Sequence, residues 1–127
     1  MNFEGNEFRR NLYNKMNKLV HLVYGVSRSF PKEEMYGVTS QLRRATMSIV
    51  LNYIEGYSRF RKKTVLLFLE ISFGSMKEST YLIDFCKEEK YLSLDDFENI
   101  NGLINEVGAM LWKEMMFCRD KIKNKNI

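Results

Sequence analysis

Four long stretches of this chain carry apolar residues at the spacing of one helix face, and that period constrains the chain to an all-α fold. At about 100° per residue, Phe8, Leu12, Met16, Leu19, Val23 and Val26 align on a first helix over about residues 6–28. Pro31, the one proline of 127 residues, ends it, because a helix does not readily continue through the pyrrolidine ring. A second helix runs over about 34–58, with Glu33 and Glu34 suited to the positive end of its dipole. The third occupies about 63–89 and aligns Val65, Phe68, Leu69, Ser72, Met76, Ile83 and Cys86. Ser93 reads as an N-cap, with Asp96 three residues on in a variant of the capping box. It opens a fourth helix over about 94–122, with a heptad-like stripe of Phe97, Ile100, Ile104, Val107, Leu111 and Cys118. Long helices with short connections run antiparallel to their neighbours. The expectation is one domain over residues 1–127, an antiparallel up-down-up-down four-helix bundle.

A chain of this length is large enough for a core of its own. Its first residues, MNFEGNEF, lack the basic and then apolar pattern of a signal region. The longest uninterrupted aliphatic or aromatic run, Val65–Leu69, is far short of a membrane span. A cytoplasmic location with no membrane partner is expected. Cys86 and Cys118 stand alone without a CxxC pair, which suits free buried thiols in a reducing compartment.

The second helix carries an unusual polar file. Gln41, Arg44, Ser48, Asn52, Glu55 and Arg59 fall within an arc of about 80°, while Val38, Leu42, Ala45, Met47, Ile49, Val50, Leu51, Tyr53 and Ile54 cover most of the rest. A solvated face would be wider and richer in Lys and Glu. The expectation is a structural polar network of Gln41, Arg43, Arg44, Asn52, Glu55 and Glu78, in which Arg43 or Arg44 pairs with Glu55 and with Glu78 of the third helix. Glu78 lies among Leu67, Ile71, Leu82 and Phe85, so burial would oblige it to find a partner, and the arginine fork can serve two carboxylates. A ligand site with Glu55 as acid or base and Arg44 holding an anion is the competing reading.

The segment Ser40-Gln41-Leu42-Arg43-Arg44-Ala45, then Ser48-Ile49, then Asn52 with Ile54-Glu55-Gly56, resembles the bacterial four-helix-bundle family of 23S rRNA intervening-sequence proteins. Phe30-Pro31 with Glu34, and Gly74-Ser75-Met76 with Glu78, agree with it, and the resemblance spans about residues 8–120. The chain departs at Val50, where the family usually has proline, and at Tyr53, where a small residue is usual. The resemblance implies the bundle, a ring-shaped homo-oligomer that is typically a pentamer, and no known catalysis. Relatives of the same bundle act as nucleic-acid-binding partners of reverse transcriptases in diversity-generating retroelements.

Apolar surface exceeds the needs of one bundle. Leu103, Met110 and Phe117 form a second file on the fourth helix, and Leu66 and Phe73 lie near Glu70, Lys77 and Asp84 on the third. These five residues are the expected oligomer interface, since contiguous apolar surface on a soluble protein usually marks association.

Catalysis finds no support. A di-iron bundle needs Glu-x-x-His pairs, but the one histidine, His21, follows Lys18 at that spacing. All-helical RNases of the HEPN type have an Arg and a His separated by four to six residues, and at those positions before His21 this chain has Asn14, Lys15 and Met16. No Ser or Cys has a base nearby, and Asp95, Asp96 and Glu98 suit the first turn of a helix. Gly74 and Gly108 read as close helix-packing points rather than as parts of a phosphate loop. No catalytic residue, cofactor or metal ligand is expected.

Charge separates along the bundle axis. One pole collects Arg9, Arg10, Arg59, Arg61, Lys62, Lys63, Arg119, Lys121, Lys123 and Lys125, ten cations against Glu4, Glu7 and Asp120, a balance of +7. The other has Arg28, Lys32, Lys87 and Lys90 against seven carboxylates, a balance of −3. Cations gather at helix C-termini in any case, but Tyr57 and Phe60 beside Arg59 and Arg61 add rings on which bases can stack. Two functions stand side by side: an oligomer that binds structured RNA, such as rRNA, or DNA through the basic pole, and a protein-interaction scaffold that docks a partner enzyme such as a reverse transcriptase.

Overall fold

A computed structural model describes Phe3 and residues 5–125, the last without its side chain. Glu4 and the side chain of Lys125, both counted at the basic pole above, lie outside the described residues. Four helices carry the fold: α1 (Glu7–Ser27), α2 (Val38–Tyr57), α3 (Lys62–Glu88) and α4 (Leu94–Lys125), with a 3₁₀ turn at Lys32–Glu34. Each helix packs against its neighbour in the chain, and α4 closes the bundle against α1. No strand occurs among the described residues.

The ends of the helices follow from local chemistry. Asn6 caps α1, its Oδ1 accepting the Arg9 N–H at 2.9 Å and satisfying one of the free donors of the first turn. The helix α2 starts later than its apolar period suggests. Gly37, at φ −110° and ψ −119°, interrupts the chain before Val38. The Glu34 carboxylate meanwhile accepts from the Tyr91 hydroxyl at 3.1 Å instead of serving the start of α2. At the end of α3, Tyr91 N–H donates to the Cys86 carbonyl at 2.8 Å and Lys90 N–H to that of Lys87 at 3.0 Å. This Schellman closure puts Lys90 at φ +64°, where glycine is usual. Ser93 caps α4 as expected, its Oγ accepting the Asp96 N–H at 3.1 Å.

The core is the set of stripes read from the sequence. Leu12, Met16, Leu19 and Val23 of α1, and all six stripe residues of α4, are buried. Phe8 is an exception, being exposed, and Phe3 takes the core place at that end. Its ring packs among Tyr13, Tyr53 and Tyr57 with centroids 5.6–6.0 Å away. Val50, where the resembled family usually has proline, sits in an unbroken stretch of α2 and is buried. The seam between α2 and α3 is built from small residues. Ser72 Oγ donates to the Ile49 carbonyl at 2.7 Å, Ser48 and Ser75 share a hydrogen bond of 2.8 Å, and a Cβ on Gly56 would stand 3.1 Å from that of Phe68. Gly108 is a packing point against Met76, but Gly74 faces open space on the outside of α3, contrary to expectation.

The expected interface file needs correcting in the same way. Leu103 belongs to the core, and Leu66, Phe73 and Met110 are half-buried against it. Of the five only Phe117 is strongly exposed, at 55%. With Phe117, Leu51, Leu67, Ile71, Tyr81, Leu94 and Trp112 are the large apolar side chains that α2, α3 and α4 turn outward among the described residues.

Candidate nucleic-acid interface

The polar file of α2 does not form the expected network within one chain. Among the described residues, neither Arg43 nor Arg44 reaches Glu55 or Glu78. Arg43 Nε donates to Ser27 Oγ at 2.8 Å and its guanidinium lies 4.7 Å from the Tyr24 ring centroid. Gln41, Arg44 and Glu78 are exposed, and Glu55 pairs with Arg59 four residues on, just past the end of α2. What remains is local: Asn52 Nδ2 donates at 2.9 Å to both the backbone oxygen and the hydroxyl of Ser48, which continues to Ser75. The reason is packing geometry. The small serines and Gly56 bring α3 onto one edge of the file, and the long side chains on its other edge are turned into solvent.

The buried charge of this protein lies elsewhere, at the basic pole. Glu114 of α4 is 5% exposed, occupying the heptad slot between Leu111 and Cys118 in the stripe Phe97, Ile100, Ile104, Val107, Leu111, Cys118. Its Oε1 accepts from the Tyr53 hydroxyl at 2.8 Å and stands 3.4 Å from Arg9 Nε. The Arg9 guanidinium lies 4.2 Å from the Tyr57 ring centroid, and its buried Nε lacks a hydrogen-bond partner among the described residues. Burial, then the nearby Glu114 carboxylate, push the Tyr53 hydroxyl well above the ordinary tyrosine value. The Tyr57 hydroxyl rises for the same leading reason. The signal for Glu114 was present in the sequence, as the one charged residue in an otherwise apolar heptad register.

Around this cluster lie the cations. The first turn of α1, the turn between α2 and α3, and the last turns of α4 meet here, as the antiparallel topology requires. Arg10, Arg59, Arg61, Lys63, Arg119, Lys121 and Lys123 are exposed, and Arg9 and Lys62 are half-buried. With Lys113, ten described cations thus surround Glu7, Glu55, Glu114 and Asp120, a smaller excess than the tally by sequence position because Glu55 and Glu114 belong to the pole too. Arg9 and Arg59 are spent on internal ion pairs with Glu114 and Glu55. Arg10, Arg61, Lys62, Lys63, Arg119, Lys121 and Lys123 have no carboxylate within ion-pair distance among the described residues.

Two open clefts share Arg9, Glu114 and Phe117. One, about 290 Å³, lies towards Asn6, Phe8 and Lys113. The other, about 220 Å³, is lined by Tyr57, Arg59, Phe60, Lys62 and Lys121, with Val65 and Cys118 beneath. Its aromatic walls are mostly occupied by the chain's own cations: Arg9 over Tyr57, and Lys121 Nζ 4.5 Å from the Phe117 centroid. Cys86 and Cys118 are free and buried, and His21 is exposed on α1. Burial raises the Cys86 thiol to about 11, a value at which it is protonated and unreactive near neutrality. No helix among the described residues is long and apolar enough to cross a membrane.

Residues 9–113 match the family described as 23S rRNA-intervening sequence protein. Among solved structures, the chain is similar to a protein of unknown function from the S23 ribosomal protein family of Bacteroides thetaiotaomicron VPI-5482. The two share 16% identity and a TM-score of 0.76, over 82% of this chain and 97% of that one. That likeness is one of fold. No curated protein matches.

Proposed function

Because the chain belongs to the family of 23S rRNA-intervening sequence proteins, we propose that it is a non-enzymatic, self-associating bundle that binds structured RNA through its basic pole. The observation that carries the reading is the convergence of Arg10, Arg61, Lys62, Lys63, Arg119, Lys121 and Lys123 on one end without carboxylate partners. Cations that merely complement helix dipoles would gather at the C-termini of α2 and α4. Here the start of α1 and the start of α3 add Arg10, Arg61, Lys62 and Lys63, against the dipole preference. Such a field attracts polyanions and releases their counterions, with readout of backbone and shape rather than base edges.

Self-association rests on a second observation. Leu67, Ile71 and Tyr81 share the outer face of α3 with Glu78, and Leu51 accompanies Arg44 on α2. Apolar and charged groups left without partners in one chain are what an interface with a second chain supplies. A ring, pentameric by the family resemblance, repeats the basic pole on one side of the assembly. The same outer face supports the alternative of a scaffold that docks a partner protein.

Salt titration of RNA retention separates the two readings. Wild-type protein should bind RNA with an affinity that falls steeply with salt, and reversal of Arg61, Lys62 and Lys63 to glutamate should abolish binding at about physiological salt. Reversal of Lys87 and Lys90 at the other end should leave it unchanged. Absence of RNA binding at low salt would replace this reading with the scaffold. Light scattering on Leu67→Glu should shift the particle towards the 15.1 kDa of one chain, and a wild-type particle already of that mass would remove self-association from the reading.

A further inference from the structure

Resting on the RNA reading, we propose that the cleft between the α2–α3 turn and α4 takes one unpaired nucleotide, its base stacked on Phe60 and its phosphate held by Lys62 and Lys121. Phe60 is the most exposed large apolar residue described, at 103% relative accessibility. It stands on the turn between Tyr57 and Lys62, flanked in sequence by Arg59 and Arg61. A phenylalanine held wholly in water costs apolar exposure that a polar turn residue would avoid. Arg9, Arg59, Lys62 and Lys121 line the cleft beside Phe60 together with Tyr57, Val65, Phe117 and Cys118, a mixture of cations and rings that suits a nucleotide better than an apolar protein anchor.

The other rings of the cleft explain why Phe60 in particular is available. Arg9 covers Tyr57 and Lys121 covers Phe117, while Arg59 lies 5.2 Å from the centroid of the neighbouring Phe68. Among the described residues, only Phe60 and Phe8 at this pole have neither a cation nor a second ring against them, and of the two only Phe60 lines the cleft of Lys62 and Lys121. The cleft beside it, about 220 Å³, is rimmed by Lys62 and Lys121. An open aromatic face next to ammonium groups is the arrangement that binds a single-stranded nucleotide, by stacking and by neutralising its phosphate. A base inside a continuous duplex has no free face to offer, so the cleft selects loops, bulges and ends.

The test uses a short single-stranded RNA carrying 2-aminopurine, a blunt RNA duplex of the same sequence, and the full chain. Wild-type protein should quench the 2-aminopurine and bind the single strand more tightly than the duplex. Phe60→Ala should weaken single-strand binding roughly tenfold, abolish the quenching and leave duplex binding and the salt slope unchanged. Lys62→Gln should instead reduce the salt slope. Phe60 touches no core residue, so circular dichroism of Phe60→Ala should match the wild type. Salt-dependent RNA binding with no loss in Phe60→Ala, or with duplex preferred, overturns this inference and leaves the RNA reading standing. Failure of the wild type to bind any RNA at low salt overturns both.

Discussion

Glu114 and Glu78 stand on neighbouring helices, each beside apolar residues at helical spacing, yet one is 5% exposed and the other lies in solvent. Glu78 shares its face with Leu67, Ile71 and Tyr81, an apolar file that points outward. Glu114 follows Phe97, Ile100, Ile104, Val107 and Leu111 at the 3,4 spacing of the core seam, so α4 carries it inward. Once inside, it is tolerated because Tyr53 donates to it and Arg9 stands beside it. An apolar neighbourhood in sequence is therefore a weaker guide to burial than the register of the seam that actually closes.

The largest expected effect tests that distinction directly. Glu114→Ala should cost about 3 kcal/mol, since it strands the Tyr53 hydroxyl and the half-buried Arg9, and a denaturant titration measures it. A loss below 1 kcal/mol would mean that water replaces the carboxylate at no penalty. Next comes the tyrosine itself. Tyr53→Phe should lose about 1–2 kcal/mol at neutral pH by leaving Glu114 short of a donor.

The same residue has a pH signature. Burial raises the Tyr53 hydroxyl in the folded chain above its value in the unfolded one. Its contribution is therefore fully present below the ordinary tyrosine value near 10 and is lost as pH rises beyond it, because the unfolded chain ionises first. Thermal melts should show a steeper alkaline decline in the wild type than in Tyr53→Phe. Equal slopes would place Tyr53 in contact with solvent.

Smaller effects belong to the outer face. Gly74→Ala should stabilise by about 0.5–1 kcal/mol, because alanine is the better helix former and a Cβ there meets nothing within 4 Å. A loss instead would show that the α3 surface is closely covered by another chain. Glu78→Ala should change the stability of a single subunit by at most about 0.5 kcal/mol. A fall of several kcal/mol in thermal melts would restore a paired, buried Glu78 and erase the contrast with Glu114.

Much of the fold was legible beforehand. The four periods, the Ser93 cap and the α4 seam all reappear, because a helix face and its cap are local properties of spacing and side-chain chemistry. The gathering of cations at one end was legible as well, following from alternating helix direction. Less legible was the start of α2, where Gly37 and the Tyr91 contact to Glu34 override a good helical pattern. Burial of Tyr53 at a position read as a departure from the resembled family was invisible in α2 alone. It depends on Phe3 and Glu114, both distant in sequence.

The amino-acid order by itself determined which residues of each helix face inward, and hence the bundle, because 3.6-residue periodicity is written within a few turns of chain. Only the tertiary structure decided which polar residues along α2 and α3 are buried. That depends on how closely two helices approach: Ser72, Ser75 and Gly56 draw α2 and α3 together while leaving Arg44 and Glu78 outside. It also decided that Arg9 is held by Glu114 while Phe60 keeps an open face, since that pairing joins the start of α1 to the far end of α4, whereas Arg59 and Glu55 pair locally at i,i+4.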